Sequence, residues 1–141
     1  MKRYAHSIVL LVAWLLAGAG AHAAGLAVIV HASSNVEVMT REEVSHLFLG
    51  RIKTLPSGES AVVLDCLPQR DAFYRSLVGR GLPEINAYWA RLRFAGRTQP
   101  PEQLPDGRAV LERVASEPGA IGYVDPILID RRVRTVLKLD Y

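Results

Sequence analysis

Along the chain the hydrophobic positions switch between a period of two and a helical period, and the switches mark the elements. Leu26–His31 is a short, β-branched apolar run set between Gly25 and the Ser33-Ser34-Asn35 cluster, which predicts a buried strand followed by a turn. Thr40 and Glu43 stand at capping-box spacing. Val44, Leu47 and Phe48 then recur at i, i+3, i+4 up to Gly50, which predicts a helix with one apolar face. Thr54-Leu-Pro-Ser-Gly58 is turn chemistry. Ala61–Asp65 predicts a second strand, Leu67–Arg70 a loop, and Asp71–Val78 a helix with Phe73, Tyr74, Leu77 and Val78 on one side. Pro83 opens a third helix carrying Ile85, Tyr88, Trp89 and Leu92, and a polar connection runs from Gly96 to Pro105. Asp106–Ser116 predicts a fourth helix with Val110, Leu111 and Val114 inward. Ala120–Val124 and the alternating Val133–Leu139 predict two more strands. Strands interleaved with helices predict an α/β domain, its mixed sheet of about four to five strands flanked by helices and its last strand at an edge.

The N-terminus follows different rules. Lys2 and Arg3 precede the apolar stretch Ser7–Leu16, and Ala21-His22-Ala23 supplies a small-x-small cleavage pattern. These features predict a cleavable signal peptide over residues 1–23, a domain over 24–141 and a periplasmic location. The apolar stretch is shorter than the ~20 residues of a spanning helix, so no membrane span is expected after cleavage.

Composition narrows the classes further. At 141 residues the chain has room for one domain, and 50% hydrophobic with 22% charged residues excludes a disordered chain. Without Lys2 and Arg3, the excess of basic over acidic residues falls from three to one. The remaining basic residues are scattered among acidic ones, so no nucleic-acid partner is expected. A single cysteine, Cys66, excludes an internal disulfide framework and a Cys-rich zinc site; burial is expected for it.

Candidate catalytic groups are sparse. His31 and His46 have no Asp/Glu/Cys cluster at ligand spacing around them, which argues against a metal site. Cys66 lacks a neighbouring His, Ser33-Ser34 lacks a nucleophile-elbow setting, and no glycine-rich nucleotide motif or other cofactor motif is present. The pattern argues against an enzyme. It does offer loops that follow strands and feed helices. Ser33, Ser34 and Asn35 follow the first strand. Gln69, Arg70 and Asp71 lead into the second helix, whose free amides and positive dipole end suit an anion. Arg70 could add a bidentate donor pair, whereas Asp71 opposes an anion and could instead serve as the helix cap.

Several phrases in order carry a family resemblance. They are Val28-Ile-Val30, Leu47-Phe-Leu-Gly-Arg51, Thr54-Leu-Pro-Ser-Gly58, Arg70-Asp-Ala-Phe73, Tyr88-Trp89 with Phe94, and Pro118-Gly-Ala-Ile-Gly-Tyr-Val124. Together they resemble the substrate-binding proteins of phosphate ABC transporters, of the type II periplasmic-binding-protein-like superfamily. The resemblance covers nearly all of residues 24–141 and implies one lobe of a two-lobed, hinged receptor that closes over an anion. It also implies a Ser-Gly-Thr run before the second helix. Aligned on Phe73, those places hold Pro68, Gln69 and Arg70, and the preceding arginine of the family falls at Leu64. Pro68 has no N–H to offer an anion.

The resulting expectation is an exported, non-enzymatic solute-binding module, accessory to uptake of phosphate or another small anion, with Ser33, Ser34, Asn35, Gln69, Arg70 and Asp71 as ligand-binding candidates. The alternative is a protein-interaction module that has kept the lobe without the ligand, as a homodimer or with an envelope partner.

Overall fold

A computed structural model describes Gly25–Tyr141; the signal segment expected over residues 1–23 lies outside the described residues. The apolar run near the start forms strand β1, Gly25–His31, with Leu26 to Val30 buried on both faces. Thr40 then caps helix α1, Arg41–Phe48. The Glu43 amide donates to Thr40 Oγ1 (3.1 Å) and the Thr40 amide donates to Glu43 Oε2 (2.7 Å), so the capping box forms as read. Strand β2 is Val62–Cys66. A 3-10 turn, Leu67–Gln69, runs straight into helix α2, Arg70–Val78, where the sequence had suggested a loop. Pro68 suits this turn because it sits where a helical N–H has no partner.

Helix α3 spans Leu82–Phe94, strand β3 Glu102–Leu104, helix α4 Gly107–Ser116, strand β4 Ala120–Val124 and strand β5 Val133–Asp140. The sequence pattern missed β3. Its three residues, Glu-Gln-Leu, have no apolar alternation, and the strand exists through parallel pairing with β2 at Leu64–Glu102, Asp65–Gln103 and Cys66–Leu104.

The sheet order is β3-β2-β4-β1-β5. β2 is parallel to β3 and β4, whereas β1 is antiparallel to both of its neighbours, β4 and β5. β5 is an edge strand, as its alternating pattern suggested. The carboxyl ends of β2, β3, β4 and β5 therefore share one end of the sheet with the amino end of β1. Gly25 pairs there with Asp140.

The core is continuous across the sheet, and its aromatic centre joins α1, α2 and β4. Phe73 stacks on Tyr123 with ring centroids 3.6 Å apart and 9° between planes, and Phe48 meets the Phe73 ring edge-on at 4.7 Å. α4 lies close against β4 because Gly122 has no side chain. A Cβ there would stand 2.5 Å from Val110 Cγ1. This contact gives a physical reason for glycine within Ala120-Ile-Gly-Tyr-Val124. No helix among the described residues is long and apolar enough to cross a membrane.

Candidate functional site

The turn from β2 into α2 carries the buried charged residues among those described, Asp65 and Arg70. β2 ends Leu64-Asp65-Cys66, all fully buried, so a carboxylate is delivered into the core by a strand that is otherwise apolar. A buried carboxylate needs partners, and Asp65 has three. Arg70 Nε donates to Oδ2 (3.0 Å), Tyr74 Oη to Oδ1 (3.0 Å), and Tyr123 Oη also to Oδ1 (3.0 Å). Burial pushes the Asp65 carboxyl up, and Arg70 and the two hydroxyls pull it back only in part. Burial likewise raises both tyrosines, reinforced by the neighbouring Asp65, so both remain hydroxyl donors.

Arg70 is itself only 6% exposed. Besides Asp65 it donates from one terminal nitrogen to Asn86 Oδ1 (2.8 Å), and its guanidinium carbon lies 5.8 Å from the centre of the Tyr74 ring. The second terminal nitrogen makes no hydrogen bond among the described residues. The Arg70 side chain borders a cavity of about 240 Å³ shared with Asn86, Trp89, Arg93 and Gln103, and no carboxylate lines it.

The other expected residues divide by position. Gln69 lies beside Arg70, and its Oε1 accepts the Cys66 thiol (3.1 Å). Cys66 is buried, as expected, and burial pushes its thiol up, away from the thiolate form. Asp71 does not cap α2. The N-cap of that helix is Gln69, without a side-chain bond, and the Asp71 carboxylate turns to α3, accepting the Leu82 amide (3.0 Å) and Arg75 Nε (2.8 Å). Asp71 is thereby neutralised by a cation and an amide at the start of α3.

Ser33, Ser34 and Asn35 follow the carboxyl end of β1, which runs antiparallel, and so lie at the opposite end of the sheet from Gln69–Asp71. No single small anion touches both groups. Ser34 is buried, its hydroxyl accepting the Val36 amide (3.3 Å) and its carbonyl accepting from Arg134 (3.0 Å). The Ser33 amide donates to His31 Nδ1 (3.0 Å), and Asn35 is exposed. Asp65, Tyr74, Asn86 and Tyr123 were not singled out from sequence. The signal available was one carboxylate inside an apolar strand, five residues before a lone arginine.

The Arg75 guanidinium first, and the Leu82 amide second, hold the Asp71 carboxyl below the usual carboxylate range. Its folded pKa is below its unfolded one, so the ionised form favours folding. That contribution is complete above the ordinary value near 4 and is lost as pH falls through the lowered folded value. Urea midpoints followed from about pH 6 down to about pH 3 should therefore fall less steeply for Asp71→Asn than for the parent. Superimposable acid limbs would show that Asp71 adds nothing.

No family model matches the chain, and no curated protein matches it. Solved structures do. A protein from Clostridium perfringens, described as a phosphate ABC transporter substrate-binding protein and solved with bound phosphate, matches with TM-score 0.63 and 20% identity over 79% of this chain and 44% of that one. A structure described as a phosphate-binding protein from Planctomyces limnophilus gives TM-score 0.58 and 15% identity, covering 79% and 40%. An ABC-type phosphate transport receptor from Vibrio cholerae gives 0.54 and 14%, covering 79% and 45%. The chain thus spans less than half the length of each. Its mixed α/β fold is shared with part of each of these structures.

Proposed function

We propose that this chain is an exported, periplasmic solute-binding lobe, non-enzymatic and accessory to anion uptake, that takes a small oxyanion such as phosphate at the junction of β2 and α2. The observation that carries the reading is Arg70. It is nearly buried, held in place by Asp65 and Asn86, and keeps one terminal nitrogen free of protein acceptors beside a cavity without carboxylates. A guanidinium fixed in this way loses little freedom when it grips an oxyanion, and its fork matches phosphate or carboxylate oxygens. Gln69 and the start of α2 stand next to it, and Asp71 is already paired with Arg75. The likeness to structures described as phosphate-binding supports the same ligand class.

Calorimetric titration with phosphate, sulfate and small carboxylates tests this. Binding at millimolar concentration or below is expected, and Arg70→Lys, which keeps the charge and loses the fork, should weaken it about tenfold or more. No heat for any of these anions overturns the binding part.

A second reading is favoured by a separate observation. Leu67, Ile127 and Tyr141, which are 48%, 85% and 55% exposed, follow β2, β4 and β5 at the same end of the sheet. Apolar groups gathered at one end suit a second copy of the chain facing the first, which would give the junction two walls. Light scattering across a concentration series separates the two, since a strict monomer at all concentrations removes the homodimer.

A further inference from the structure

We infer that the chain has a second ligand site, adjoining the cavity beside Arg70 and sharing Trp89, Arg93 and Pro100 with it but not Arg70, which takes a small organic anion: an oxyanion head on an apolar body. The site is a cavity of about 490 Å³ between the end of α1, the outer half of β2, and the α3–β3 connection. That volume falls within the range of small-molecule pockets, roughly 300–1,000 Å³. Ala61, Val63 and Pro101 stand at or before the amino ends of β2 and β3, so the cavity opens toward the opposite end of the sheet from Gln69 and Asp71.

Its chemistry has two parts. The floor is apolar, formed by Leu47, Val63, Trp89, Pro100 and Pro101. The rim carries Lys53, Arg93 and Arg97, while no acidic residue lines the cavity. None of these three cations is in an ion pair among the described residues, although Arg75, Arg80, Arg113 and Arg132 all are. Three unneutralised cations around an apolar floor attract a negative charge and then shelter whatever is attached to it. An inorganic anion would use the rim and leave the floor empty.

Trp89 supplies an independent observation. Its side chain is buried, and its Nε1–H is the buried side-chain donor with no hydrogen-bond partner among the described residues. A buried donor without an acceptor is costly, and Trp89 lines this cavity, so a small shift of the indole would let a bound anion supply the missing acceptor. Gly50 belongs to the same arrangement. It has φ +73, and a Cβ there would come within 2.9 Å of the Trp89 ring and 3.2 Å of Thr98, so glycine lets the indole and Thr98 pack against the end of α1 at the cavity wall.

The test uses phenyl phosphate, benzoate and inorganic phosphate with the purified protein, read by calorimetry and by the Trp89 indole N–H resonance. Phenyl phosphate or benzoate should move that resonance saturably and bind at least tenfold more tightly than inorganic phosphate. The double variant Lys53→Gln/Arg97→Gln, both exposed positions, should weaken the organic anions about tenfold or more while the amide spectrum stays dispersed. Arg70→Lys should leave them within about threefold, so this site and the β2–α2 junction fail independently. An unmoved indole resonance at millimolar ligand, or affinity unchanged in the double variant, overturns the inference. Preference for inorganic phosphate at this resonance overturns it equally.

Discussion

Replacing Asp65 with alanine is expected to destabilise the fold by about 3–5 kcal/mol, a large share of the ~5–15 kcal/mol that holds a domain of this size. The magnitude comes from what is left behind. Arg70 is 6% exposed and loses its carboxylate, the Tyr74 hydroxyl loses its acceptor, and Tyr123 is left with the Cys66 carbonyl at 3.5 Å. The urea midpoint reports the loss, provided the denaturant slope is unchanged. The decisive comparison is Asp65→Leu/Arg70→Met. Removing both charges leaves no buried charge unpaired, only the two tyrosine hydroxyls without Asp65, so a large part of the stability should return. The same double variant lacks the guanidinium and should no longer bind phosphate, which separates the role of Arg70 in the ligand site from its role in the fold. An alanine variant that loses less than about 1 kcal/mol would mean that water or a side-chain shift rescues Arg70.

Phe73→Ala carries the second large effect, again about 3–5 kcal/mol. The ring is fully buried and sits between Phe48 and Tyr123, so its removal opens a void that neighbours on two helices and a strand cannot all fill. Phe73→Leu should cost much less, within about 1.5 kcal/mol, because most of the volume is kept. Thermal and urea unfolding of both variants measure the difference. The Asp65 and Phe73 effects should not add, since Tyr123 both stacks on Phe73 and donates to Asp65. Strict additivity would show that the aromatic centre and the polar junction are independent.

How much of this could be read from residues alone depended on how local the signal was. The capping box at Thr40 and Glu43, the apolar faces of α1, α2 and α4, and the runs of β1 and β4 are decided within a few neighbours, and each appears where the pattern put it. β3 is decided by a partner strand some forty residues away and has no periodic signal of its own. The site shows the same division. Arg70 beside a helix start was visible, but its partners Asp65 and Asn86, and the Tyr123 hydroxyl that also holds Asp65, come from other elements. The placing of Ser33–Asn35 turned on strand direction. Had β1 run parallel to β2, its following loop would lie at the same end of the sheet as Gln69 and Arg70; because β1 is antiparallel, it lies at the far end. Hydrophobic patterning does not encode that choice.

Gly25 and Asp140 are paired neighbours in the sheet, about 5 Å apart as adjacent strands are. The folded body is therefore entered and left through one doorway, and that doorway opens beside the last turn of α2, where the Ser76 hydroxyl donates to the Asp140 carbonyl. A host polypeptide could carry this body as a cassette through two short joints, without stretching across it.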